Sequence, residues 1–164
     1  ARSTEIGMVA SAGASPAPSP RTFDIAYVAD LRDHNPELAA LRTEVEQAIT
    51  RGLRVAVVQC DRPEQLSLHD GPPARWALDA VLDGRMSLLL EDSVALVTHL
   101  VVESAEAVTL GLLPRARWMA YSAELRIAAP GCSDPQQVLQ DARSVLEELG
   151  ALPRTPVGSG GPAR

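Results

Sequence analysis

Two short runs, FDIAYVA (23–29) and LRVAVVQ (53–59), are apolar at nearly every position, as strands buried on both faces must be. Between them lies a single helical pattern. Asn35 and Pro36 make a natural N-cap and first helical residue. Leu38, Leu41, Val45 and Ile49 then recur at helical spacing, and Gly52 closes the segment. No hairpin signal intervenes. Strand, helix and strand in this order make a βαβ unit, whose two strands run parallel through a right-handed crossover.

The same pattern continues along the chain. Residues 74–83 carry Trp76, Leu78, Val81 and Leu82 and stop at Gly84, which predicts a second helix. MSLLL (86–90) and ALVTHLVV (95–102) read as strands. Residues 103–113 read as a short helix closed by Pro114, and RWMAYSA (117–123) as a strand that LRIAA (125–129) either extends or follows. The last helix spans 133–149, with Ser133 as N-cap, Pro135 near its start, a stripe of Val138, Leu139, Ala142, Leu146 and Leu149, and Gly150 at its end. The order β-α-β-α-β-β-α-β-α predicts an α/β, doubly wound, mostly parallel Rossmann-like sheet with helices on both faces. The folded domain is expected over 23–152. A flexible leader, 1–22, contains ASPAPSP, and a flexible tail or linker, 153–164, reads PRTPVGSGGPAR. Ala1 in place of an initiator Met predicts a processed or excised chain.

The net charge of −6 argues against a nucleic-acid binder, which needs a basic face. All 15 basic residues are Arg, so Schiff-base chemistry, the Walker lysine and any lysine general base are excluded. No apolar run reaches the roughly 18–20 residues of a membrane span, and no signal peptide opens the chain; a cytoplasmic protein is expected. Cys60 and Cys132 share no metal or redox spacing. They read as small buried residues of a reducing compartment, with a disulfide as the alternative.

Open parallel sheets bind ligands beyond the carboxyl ends of their strands, where strand order switches. The residues that follow the strands are therefore the candidates: Asp30, Arg32, Asp33, His34 and Asn35 after the first, Cys60, Asp61 and Arg62 after the second, Glu103 and Ser104 after the fourth, Glu124 after the fifth. A pocket is expected to be lined by Asp30, Arg32, His34, Asp61 and Glu103. Arg32 offers a fork to an anion or hydroxyl, and His34 a general base or ligand contact. The carboxylates suit the hydroxyls of a sugar-like molecule. Asp30 and Asp33 also fit the plainer role of accepting from turn amides near a helix start. His69 has nothing nearby to orient it, and His99, inside a strand, reads as a hydrogen-bonded core histidine. No histidine or cysteine spacing makes a metal site, and no cofactor is expected. The first strand-to-helix turn, ADLRDHNPE, holds no glycine, so neither GxGxxG nor a P-loop is present to wrap a diphosphate. Trp76 and Trp118 read as core or interface residues.

The stretch FDIAYVADLR…LRTEVEQAITRGLRVAVVQCDRP resembles the N-terminal half of bacterial glycosyltransferases of the GT-B fold. The likeness rests on a strand ending in Asp-x-Arg, an Ala- and Glu-rich helix, and a Thr-Arg-Gly-Leu-Arg-Val turn into a second strand. It extends through ALDAVLDGRMSLL and ALVTHLVVE and covers roughly residues 23–121. It implies an acceptor-binding domain, with the sugar nucleotide held by a second domain that is absent here, and therefore no activity from this chain alone. By position it reaches only Asp30 and Arg32. Asp33-His34-Asn35-Pro36 stand where the family has a glycine-rich segment, and Glu103-Ser104 where it has His-Pro. The competing expectation is a non-catalytic α/β module that homodimerises or docks on a neighbouring domain.

Overall fold

The computed structural model describes residues 19–62, 71–128 and 131–154. Most of the expected leader and tail, and residues 63–70 with His69, lie outside them. Five strands, β1 (Arg21–Ala29), β2 (Val55–Gln59), β3 (Met86–Leu88), β4 (Val94–Val102) and β5 (Arg117–Leu125), form one sheet in the order β3-β2-β1-β4-β5. Every pair is parallel, with Ile25 beside Val55 and Tyr27 beside Val101. The helices are α1 (Leu38–Thr50), α2 (Arg75–Leu82), α3 (Ala105–Thr109) and α4 (Pro135–Glu148). The architecture is the α/β, doubly wound, Rossmann-like one that the order of elements predicts. Among the described residues, no helix is long and apolar enough to cross a membrane.

The two faces carry separate cores. Leu38, Leu41, Val45 and Ala48 of α1 and Ala77 and Ala80 of α2 pack on Tyr27, Val55, Val57 and Met86. On the other face Val108 of α3 and Ala142 and Leu146 of α4 pack on Val28, Val97, Leu100 and Trp118. These placements follow from handedness: crossovers that step in opposite directions along the sheet lie on opposite faces.

Several boundaries differ from expectation. α1 begins at Leu38, because Asn35 caps the turn before it: its Oδ1 accepts from the Glu37 amide at 3.0 Å and its carbonyl from Leu38 at 3.1 Å. The N-cap of α4 is Asp134, which accepts from the Gln137 amide at 3.1 Å, rather than Ser133; Pro135 takes the first helical position, so the cap is the residue just before it. α3 is shorter than 103–113. Gly111 takes a φ of +76°, and the Leu112 and Gly111 amides return to the carbonyls of Ala107 and Val108, the closure a left-handed glycine permits. Gly52 closes α1 in the same way, as predicted. The strand β5 takes in Leu125 and ends there, with residues 126–128 outside it.

His99 is not a core histidine. Inward-facing positions slip by one residue at the same level in three adjacent strands: Phe23 then Ala26, Val97 then Leu100, Ala120 then Ala123 face one core, with register unchanged. Because the strands slip together, their pairing survives, and Thr98, Tyr121 and Ser122 are left exposed beside a half-buried His99. His99 Nδ1 lies 2.9 Å from Ser122 Oγ. Trp118 is a core residue, 2% exposed, whereas Trp76 is half-buried under the Arg42 guanidinium, 5.7 Å from its ring centre. Both cysteines are free; Cys60 is buried, but Cys132 is only half-buried, since its loop precedes α4 at the surface.

Candidate functional site

Strand order reverses between β1 and β4, since β1 connects onward to β2 on one side and β4 lies on its other side. The carboxyl ends of β1, β2 and β4 therefore converge, and with them all five expected residues. Asp30 is the hub, its side chain fully buried. Its Oδ1 accepts from Arg32 Nε at 2.9 Å, the Arg32 amide at 3.1 Å and Gln59 Nε2 at 2.9 Å. Its Oδ2 accepts from Arg32 Nη2 at 3.1 Å and lies 3.0 Å from His34 Nε2. Arg32 Nη2 also reaches Asp61 Oδ1 at 3.0 Å. The guanidinium thus bridges two carboxylates and occupies the place a cation would take between them.

A second layer joins β1 to β4. Asn35, 3% exposed, donates through Nδ2 to the Asp30 carbonyl at 2.7 Å and toward Glu103 at 3.3–3.4 Å. Its Oδ1 accepts from Arg62 Nη1 at 2.8 Å. Arg62 Nη1 stands 4.0 Å from Glu103 Oε1. Gln59, Asn35 and Arg62 are thus as integral to the cluster as the five expected residues. A signal for Gln59 exists in the sequence: it is the polar last residue of an otherwise apolar strand, where a side chain leaves the core for the ligand edge.

Burial opposes ionisation throughout, and partners decide the outcome. For Asp30 burial would raise the carboxyl, but the Arg32 and Gln59 hydrogen bonds prevail and hold it below its ordinary value. For Glu103 burial wins over Asn35 and Arg62, and the carboxyl stays raised. Cys60 is pushed up to about 12, by burial first and then by the charges of Asp61, Asp30 and Glu103, so at neutral pH it is a thiol and no nucleophile.

A raised Glu103 means that the folded state holds this proton more tightly than the unfolded chain does. Its contribution to stability is full below the ordinary glutamate value and is lost as pH rises through the folded one. Glu103→Gln removes the cost of the buried charge while keeping an acceptor for Asn35. The variant is expected to melt a few degrees higher than the parent at pH 7 and equally at pH 4, as measured by thermal melts across that range.

The five residues meet, but they fill one another's space: no described cavity is lined by all of them. Two cavities flank the cluster instead. One of about 210 Å³ lies over the β1–β4 switch, between the start of α1 and the end of β5, with Glu37, Glu44, Glu103 and Arg126 in its wall. Arg126 Nη1 holds Glu44 at 2.7 Å. The other, of about 390 Å³, opens beside Gln59 and Asp61 at the ends of β2 and β3. Chemically, the wall of the smaller cavity can accept from hydroxyls and donate through one guanidinium, and the Asp30–His34 pair is a carboxylate-oriented imidazole of the kind used in proton transfer. Comparison with family models, with curated proteins and with solved structures finds no match to this chain.

Proposed function

We propose that this domain is the acceptor-binding half of a glycosyltransferase of the GT-B type. One observation carries the reading: at the switch point of a parallel sheet, where such folds take their ligands, the chain presents carboxylates around a small cavity and no glycine-rich turn. Glu37, Glu44 and Glu103 suit the hydroxyls of an acceptor and repel a diphosphate. Arg32, the group best shaped for phosphate, is already bound by Asp30 and Asp61. Fold alone does not assign an activity, and the likeness of the Asp30-x-Arg32 strand end to the family adds to the site chemistry.

The test is calorimetric titration of the 164-residue chain with UDP-glucose and GDP-mannose, alongside ligand-observed NMR with methyl glycosides. Weak saccharide binding that falls in Glu103→Gln, and no micromolar affinity for either sugar nucleotide, is the expected result. Micromolar sugar-nucleotide binding that disappears in Arg32→Ala would reverse the assignment, making this half a donor site.

The second reading, a module that docks on a neighbouring domain or on its own copy, is supported by the slipped strands. They leave Tyr121, 59% exposed, midway along the edge strand β5 beside exposed Thr98 and Ser122. Under it, sedimentation is expected to show species heavier than the 17.4 kDa chain as concentration rises. A single species at the chain mass counts against self-association.

A further inference from the structure

The two faces of the sheet are covered unequally. α1 and α2 pack over β1, β2 and β3, and Val101 is the one buried residue of β4 or β5 in their core. α3 and α4 both lie on the other face, against Val97, Trp118 and Ala120. Among the described residues, the first face of β4 and β5 is therefore left without a helix. Alternation turns Arg117, Met119, Tyr121 and Glu124 of β5 onto it, since Trp118, Ala120 and Ala123 face the opposite core. Leu96 of β4 lies beside Met119. Glu124 is held on this side by Arg126, which also binds Glu44 of α1. The free edge of β5 is already taken near its middle, where the Ala120 amide donates to the Ala151 carbonyl at 2.8 Å. A partner must reach this strand face-on rather than along its edge.

We infer that the open face of β4 and β5 binds a second copy of this chain, sheet against sheet, with β5 antiparallel to its counterpart. The order of charges along the strand selects that partner. Arg117 opens β5, Met119 and Tyr121 follow, and Glu124 stands seven positions after the arginine, about 23 Å along a strand. Arg117 has no hydrogen-bond or ion-pair partner among the described residues. Glu124 gives Oε2 to Arg126 and keeps 49% of its side chain accessible. A two-fold axis crossing β5 beside Tyr121 sets each Arg117 against Glu124 of the other copy, with Met119 and Tyr121 packed between. A parallel copy would set like charge against like. The inference rests on the docking reading above and commits its partner to this chain itself. Two strands make a narrow contact beside the roughly 800 Å² per partner of a standard interface, so the dimer is expected to be weak, half-formed on the order of 100 μM.

The experiment is sedimentation equilibrium of the full chain from about 10 μM to about 1 mM, a range that brackets a weak dimer. The variants are Arg117→Glu and Glu124→Arg, both at exposed positions, with circular dichroism to check each fold. Either variant alone sets like charges together at both contacts and is expected to associate about tenfold more weakly than the parent. Mixed in equal amounts the two variants complement each other, and the mixed dimer is expected to regain the parent's affinity, a recovery that loss of fold would not produce. Tyr121→Glu, near the axis, is expected to abolish association. If the parent stays a single species at 17.4 kDa throughout, the proposal and self-association both fall, and a neighbouring domain is left as the docking partner. If the parent associates but mixing brings no recovery, the antiparallel copy falls and the docking reading stands. Association that Tyr121→Glu leaves unchanged places the contact on another surface and overturns the proposal.

Discussion

Asp30→Ala is expected to cost about 3–5 kcal/mol of stability, a fall in Tm on the order of 15 °C for a domain of this size. The carboxylate is fully buried and satisfies Arg32 twice, the Arg32 amide, Gln59 and His34. Truncation leaves the guanidinium of Arg32, only 10% exposed, facing a void with Asp61 still beside it at 3.0 Å. Removing one partner of a buried ion pair is far more costly than never having had the pair. Asp30→Leu combined with Arg32→Met is therefore expected to recover part of the loss. The effect also depends on pH. Because the folded carboxyl lies below its ordinary value, its stabilisation is present above that value and is lost as pH falls through the folded one. The gap between parent and Asp30→Ala, read from urea midpoints, should therefore narrow on acidification. A Tm change below about 3 °C at pH 7 would show that the cluster contributes less than buried ion pairs ordinarily do.

Asn35→Asp is nearly isosteric and is expected to destabilise by about 2 kcal/mol at pH 7. The Nδ2 group donates to the Asp30 carbonyl at 2.7 Å and toward both Glu103 oxygens. The substitution replaces that donor with a carboxylate oxygen facing a carbonyl and a second carboxylate. Attraction to Arg62, 2.8 Å from Oδ1, offsets part of the penalty but not all, since that contact already exists. Protonating the new carboxyl restores a donor, so the loss should shrink toward pH 4. Equal urea midpoints for parent and variant at pH 7 would mean that the β1–β4 bridge carries no net energy.

Much of this architecture is written locally. The runs 23–29 and 53–59 alternate with a helical stripe that a left-handed glycine closes, and those are properties of consecutive residues, so the βαβ unit, the parallel pairing and the order of all nine elements follow from them. The convergence of Asp30, Arg32, His34, Asp61 and Glu103 was legible too, because a parallel sheet presents the residues after its strands at one edge. What they do to one another was not. Whether Arg32 faces a ligand or is held between Asp30 and Asp61 depends on side-chain reach across β1 and β2. The bridge from Asn35 to Glu103 exists because β4 lies beside β1, a long-range pairing that no local period encodes. The concerted slip of β1, β4 and β5 is decided in the same way. Period-two alternation places His99 inside, and three strands shifting together turn it toward the surface while keeping one register on both sides of the slip, where Asp24–Thr98 and Thr98–Tyr121 drop out of the pairing. The crossing from β3 to β4 is settled in the same way: residues 89–93 link them without a helix, and a cavity of about 390 Å³ lies beside the link.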